Sequence, residues 1–169
     1  AVTSDVEWTR SFIFNFDQND NFTGGTETDN GIARTYDANW NVTNEAASTA
    51  FIATLDTVGS ADLELLPTSL KASSGDTKVS EKDHGDYSES TYFDASGVIL
   101  GYSHSYSEGS SSGTSYEDAN RNWLGHTNVD AATGWSSSMI VTTNSDGSRV
   151  ETGTNTQLSV VNNAVTSDV

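Results

Sequence analysis

The sequence predicts an all-β fold of antiparallel hairpins, arranged as a sandwich or as an elongated β-repeat with two homologous half-units. Three observations carry that expectation. Apolar and polar residues alternate with the period of two that a half-buried strand requires. Gly, Asn and Asp cluster between those runs at hairpin spacing. Stretches of the chain also echo one another, as repeat architectures do.

Over 8–17, Trp8, Phe12, Phe14 and Phe16 share one face, with Arg10 as the exception. The runs 22–29, 31–37, 88–93, 98–108, 114–117, 139–144, 149–154 and 157–161 continue the strand pattern. Between them, Asp29-Asn30-Gly31, Ala95-Ser96-Gly97, Glu108-Gly109 and Asp146-Gly147 supply turns, because Gly and Asn accept the left-handed backbone of a tight hairpin. The clearest hairpin is Asn144-Ser145-Asp146-Gly147-Ser148. Stretches 44–55 and 61–70 read as short helices or as strands. The first opens with an Asn cap and an Ala-rich turn, and Pro67 breaks the second. The Ser-rich run 110–113 reads as a loop tip.

Repeats decide the organisation. Ala1-Val2-Thr3-Ser4-Asp5-Val6 recurs letter for letter as Ala164-Val165-Thr166-Ser167-Asp168-Val169. The simplest account is a tandem array with a 163-residue period, of which the chain holds one period and the start of the next. A cloning duplication or coincidence is the plain alternative. Inside the period, Phe16-Asp17 followed by Gly24 matches Phe93-Asp94 followed by Gly101, and Tyr36-Asp37-Ala38-Asn39 echoes Glu117-Asp118-Ala119-Asn120. Val2-Thr3-Ser4 lies as far before Asp17 as Val79-Ser80-Glu81 lies before Asp94. Ala46-Ala47-Ser48 finds its echo in Ala131-Ala132-Thr133. These offsets average close to half the period. They divide the chain into half-units 1–77 and 78–163, with 164–169 opening the next repeat. If strands pair between units, 1–6 and 164–169 are the natural junction strands.

Composition bounds the function. The chain has 169 residues, 24 acidic against 7 basic side chains and a formal charge of −17. Ser and Thr fill 47 positions. Phosphate neutralisation supplies affinity for nucleic acid, so this balance excludes it as a partner. No apolar run approaches the 18 residues of a membrane span, so no span is expected. With no Cys there are no disulfide staples or thiolate metal sites. No signal peptide opens the chain, which points to a mature product or an excised piece. Four Trp, six Tyr and six Phe set in alternating runs argue for a folded protein despite the charge.

The sharpest chemical motif is Asp-x-Asn-x-Asn. It occurs as Asp17-x-Asn19-x-Asn21, Asp37-x-Asn39-x-Asn41 and Asp118-x-Asn120-x-Asn122. Oxygens at alternate positions of a tight loop can converge on a hard cation, so calcium is the one cofactor candidate and these nine residues its candidate ligands, with a plain turn as the stronger reading. The helix-loop-helix calcium pattern fails, because Phe22, Val42 and Trp123 stand where it needs Gly. The same letters also spell a plain β-turn closed by Asx hydrogen bonds. Among the tryptophans, Trp8 and Trp135 read as core, whereas Trp40 and Trp123 lie in or beside the Asp-Asn turns and suit stacking on sugar rings. His84, His104 and His126 lie far apart with no metal-binding spacing, and no G-x-S-x-G elbow is present. The expectation is therefore that the chain is not an enzyme. Lys71, Lys78 and Lys82 lie in a polar segment that gives no support to a buried Lys–Asn crosslink.

The cadence of Phe16-Asp17-Gln18-Asn19, Tyr36-Asp37-Ala38-Asn39 and Phe93-Asp94-Ala95-Ser96-Gly97 resembles the hairpin repeats of very large secreted bacterial surface proteins of the adhesin or filament type. It also resembles the Tyr-Asp-x-x-Gly-Asn repeats of bacterial shell-forming proteins, with Trp40 and Arg121 in place of the turn glycine. What the resemblance implies is an extracellular or cell-surface role in a secreted bacterial protein. The expected function is a structural repeat module of a filament, stalk or giant adhesin, assembling end to end with neighbouring copies of the same repeat. Cell-surface or matrix glycans are the second expected partner. The alternative is a carbohydrate-binding module that presents its exposed tryptophans.

Overall fold

A computed structural model describes residues 2–48, 67–70 and 77–160. Among these residues, eleven antiparallel strands form one open sheet. In chain order they are β1 (Val2–Phe16), β2 (Phe22–Asp29), β3 (Ile32–Tyr36), β4 (Val42–Ala47), β5 (Lys78–Asp83), β6 (Ser88–Phe93), β7 (Ile99–Glu108), β8 (Ser111–Asp118), β9 (Trp123–Asp130), β10 (Trp135–Thr143) and β11 (Arg149–Val160). The all-β class predicted from the alternation is what the chain adopts. Of the two arrangements expected, the described strands do not make a sandwich; they lie in a single sheet.

The spatial order is β4-β3-β2-β1-β11-β10-β9-β8-β7-β6-β5. Every neighbouring pair but one is consecutive in the chain. The exception is β1 against β11, a seam in mid-sheet that runs from Val2↔Val160 to Phe16↔Arg149. The open edges are β4 and β5, all of whose residues are exposed. Residues 2–6, expected as a junction strand if strands pair between units, pair in this chain with β11.

Strand alternation gives the two faces different chemistry. One face carries Trp8, Arg10, Phe12, Phe14 and Phe16 from β1, and cross-strand register brings Glu27, Tyr36, Val141 and Trp135 to the same side. Arg10 belongs with these aromatics because it pairs with Glu27 and lies 5.0 Å from the Phe12 ring centroid. Opposite, the register aligns Ser11, Thr28, Thr154 and Ser138 in rows of small hydroxyl side chains. The core is correspondingly thin. Phe14, Phe22 and Val141 are buried on the aromatic face, whereas Leu70, Tyr92, Tyr116 and Leu124 cluster on the other.

Several local expectations shift. Residues 42–47 form β4, so the start of 44–55 is strand, and its remainder from 49 lies outside the described residues. The end of 61–70 is the 3-10 turn Thr68–Leu70, which follows Pro67. Ser111, Ser112 and Gly113, read as a loop tip, open β8, because the hairpin already closes at Gly109 and Ser110. Strands β5 and β9 carry too many polar residues at alternating positions to stand out by hydropathy. Trp135, read as core, is 37% exposed and stacks on Trp8 at 5.7 Å.

Candidate functional site

All five β-turns at one end of the sheet share one construction. They span 17–21, 37–41, 94–98, 118–122 and 144–148. In each, the first residue's N–H donates to the fifth residue's carbonyl, and the fourth residue's N–H donates to the first residue's carbonyl. In the first turn these bonds are Asp17 N–H to Asn21 O at 2.9 Å and Asp20 N–H to Asp17 O at 3.1 Å. This is a three-residue hairpin loop that needs left-handed backbone at its fourth position. That position holds Asp20 (φ 63°), Trp40 (φ 63°), Gly97 (φ 89°), Arg121 (φ 67°) and Gly147 (φ 85°). Four of the hairpins add a register shift directly behind the turn, at Asn15/Phe16, Thr35/Tyr36, Tyr92/Phe93 and Tyr116/Glu117.

The Asp-x-Asn-x-Asn letters are the chemistry of this turn. Asp17 Oδ1 accepts from the Asn19 and Asn21 N–H groups at 2.8 and 2.9 Å, while Asn21 Nδ2 donates to Oδ2 at 2.9 Å. Asp37 repeats the pattern with Asn39 and Asn41, and Asp118 with Asn120 and Asn122. Asp94 does the same for Ser96 and Val98. In the fifth turn Asp146 takes the Ser148 N–H at 2.9 Å. The nine predicted ligands thus lie at one end of the sheet but on three separate turns. Those at 17–21 and 37–41 are two strands apart, about 10 Å, and the 144–148 turn stands between 17–21 and 118–122. Among the described residues no three acidic or imidazole groups come together in a way that could hold a metal ion.

These bonds favour the charged carboxylate. The Asn21 side chain, aided by turn amides, holds Asp17 below its ordinary value, and Asn41 does so for Asp37. Ser96 lowers Asp94 and Ser148 lowers Asp146. At Asp118 partial burial pushes upward but is outweighed by Asn122 and the turn amides. A lowered native value means that stability contributed by these groups is present above the unfolded value of about 3.9 and is lost as pH falls through the native value. Side-chain carboxyl NMR resonances of Asp17 and Asp37 are therefore expected to titrate below pH 3.9, with turn amide shifts following them. Midpoints at or above that value would dissociate the carboxylates from the turns.

The chain matches no family model, and no curated protein or solved structure is similar to it at significance.

Where the fourth turn position is not glycine, its side chain reaches back onto the aromatic face and clamps a neighbouring strand. Trp40 stacks on Phe22 with centroids 3.6 Å apart and planes 9° from parallel. Asp20 pairs with Arg149 of β11. Arg121 lies 3.4 Å from the Tyr102 ring centroid and pairs with Glu89 at 3.0 Å and Glu117 at 3.1 Å. Left-handed backbone at bulky residues costs of order 1–3 kcal/mol, and these contacts offset it.

Two further features lie on this face. Trp40, in the β3–β4 turn, and Trp123, on β9, are 50% and 46% exposed and lie about five and a half strand spacings apart, near 26 Å. His104 sits between Glu89 (3.7 Å) and Glu117 (3.4 Å), with Arg121 closing the group. Sequence reasoning missed this cluster, because its members come from three strands and a turn. The period-two spacing of Tyr102, His104 and Tyr106 was the available signal. His84 stacks on Tyr87 at 4.6 Å in the exposed β5–β6 turn, and burial holds the His126 imidazole below its ordinary range.

Proposed function

We propose that the chain is a structural repeat module of an extracellular filament, stalk or giant adhesin, joined end to end with further copies of itself. The observation that carries this reading is the same turn-and-bulge hairpin recurring along one sheet end, with backbone pairing between adjacent strands throughout. Such a unit gains stability by adding neighbours, which is the logic of arrays. The recurrent hexapeptide at 1–6 and 164–169 supplies the period. Equivalences noted in the sequence fall on like turns, 17–21 with 94–98 and 37–41 with 118–122. Val2-Thr3-Ser4 and Val79-Ser80-Glu81 fall instead on strands that occupy different places, β1 in mid-sheet and β5 at an edge. A charge of −17 keeps such an array soluble and its edges apart.

Sequencing the coding region on both sides of this segment tests the reading. Further copies at a 163-residue spacing are expected, and a solitary copy would overturn it. Calcium stiffening belongs to the same reading, since each turn carboxylate keeps outward lone pairs on a strongly acidic chain. A melt in millimolar calcium against EDTA reads it. A rise of about 10 °C or more makes the ion part of the fold through binding to the native state, and mutation of Asp17, Asp37 and Asp118 should then abolish the rise. An unchanged melt removes calcium and leaves a calcium-independent repeat.

A second reading, a carbohydrate-binding module, is favoured by the exposure of Trp40 and Trp123 on one face. Quenching of tryptophan fluorescence by a defined oligosaccharide, lost in Trp123→Ala, is its expected signature.

A further inference from the structure

We infer that the seam between β1 and β11 is the joint between consecutive copies: the β1–β4 block of each copy docks on β11 of the copy before it. This rests on the tandem-array reading above, and names the surface through which copies connect.

The argument begins with turn placement. Along the sheet, turns alternate strictly between its two ends. The Asp turns lie at one end, and the turns at 30–31, 84–87, 109–110 and 131–134 lie at the other. The alternation breaks once. Between β1 and β11 a turn is missing, at the end where Val2 faces Val160. The sequence holds what that gap requires. Val165 repeats Val2 within the recurrent hexapeptide, so a following copy starts its own β1 four residues after Val160. Four-residue connections already close β5–β6 and β9–β10 at this end of the sheet. Two of the four residues, Asn162 and Asn163, are turn formers. A hairpin of that length would set the Val165–Val160 pair in the register seen for Val2↔Val160.

Closure between copies converts the sheet into an uninterrupted meander, β5 through β11 of one copy followed by β1 through β4 of the next. It is also the shorter closure. Within one copy the two blocks are tied only through the 30 residues from 48 to 77, which lead from one sheet edge to the other. Those edges are ten strand spacings apart, about 48 Å. Leu70, packed beside Gly101 of β7, fastens the end of that link to the downstream block. Loop-closure entropy rises with connection length, so the four-residue connection is the readier closure of the seam.

The test is a two-copy chain with one cysteine pair, made possible by the absence of native Cys. Ser11 and Thr154 are direct partners across the seam, at the Cα separation a disulfide accepts. One version carries Thr154→Cys in the first copy and Ser11→Cys in the second. The other carries both substitutions in the first copy. Circular dichroism checks that each is folded, and intact mass after mild oxidation reads the bond. The pair placed across copies is expected to oxidise several-fold more completely than the pair placed within one. Preferential oxidation within the first copy overturns the inference while leaving an array of self-closed copies standing. Oxidation of neither pair in folded protein overturns it as well. The number of copies in the parent gene, which tests the array reading itself, is unaffected by either result.

Discussion

Replacing Leu70 with alanine is expected to lower the free energy of unfolding by about 2–5 kcal/mol, the range for emptying a core leucine site. Leu70 is the one fully buried large side chain among the described residues. It comes from the 3-10 turn after Pro67 and packs with Tyr92, Tyr116 and Leu124, over the space that the missing side chain of Gly101 leaves open. Tyr92, Tyr116 and Leu124 are held in place by strand pairing and settle little into the vacated volume, so the upper half of the range applies. Urea denaturation reads the loss as a lower midpoint at nearly constant slope. Leu70→Met keeps the volume and should cost less than about 1.5 kcal/mol. A Leu70→Ala loss below about 1 kcal/mol would mean that the contact does not hold this corner of the fold.

Gly125→Ala is expected to be comparably severe, at about 3–5 kcal/mol from backbone strain and overpacking together. Two causes coincide there. Its φ of +134° suits glycine alone, and an added Cβ would collide with the Met139 carbonyl oxygen on the adjacent strand. That oxygen is backbone, so relief requires shifting β10. Gly97→Ala is the control. At φ +89° it is strained, but nothing lies within 4 Å of the added carbon, and about 1 kcal/mol is expected. Equal losses in the two variants would show that the approach of β10 carries no weight.

The sequence made the hairpins readable wherever turn chemistry was explicit. Asn30-Gly31, Ser96-Gly97 and Asp146-Gly147 each mark a turn, because their letters encode a backbone conformation. Asp37-Ala38-Asn39-Trp40-Asn41 was harder, since Trp40 occupies the left-handed position that the cadence assigns to glycine. Its stacking on Phe22 explains the exception, and no local pattern announces that contact. The faces of β1 were legible for the same reason. The outlying Arg10 was not, until Glu27 appeared on the neighbouring strand. Strand β5 was missed because lateral hydrogen bonding, not burial, defines it, and every residue of it is exposed; β9 was missed because its one buried apolar side chain, Leu124, sets up no alternation. The Asp-x-Asn-x-Asn letters are legible as turns, and turns are what they form. Whether they converge depends on which strands lie side by side, and spacing along the chain does not record that.

The half-exposed state of both faces has a thermal consequence. Heat capacity rises on unfolding in proportion to the apolar surface newly wetted, and here much of that surface is already wet in the native state. The increment should therefore fall below the usual 12–15 cal/mol/K per residue. A small increment flattens the stability curve, so the fold gains little on warming from the cold and gives up little on cooling. For a protein with so thin a core, that breadth in temperature replaces depth in free energy.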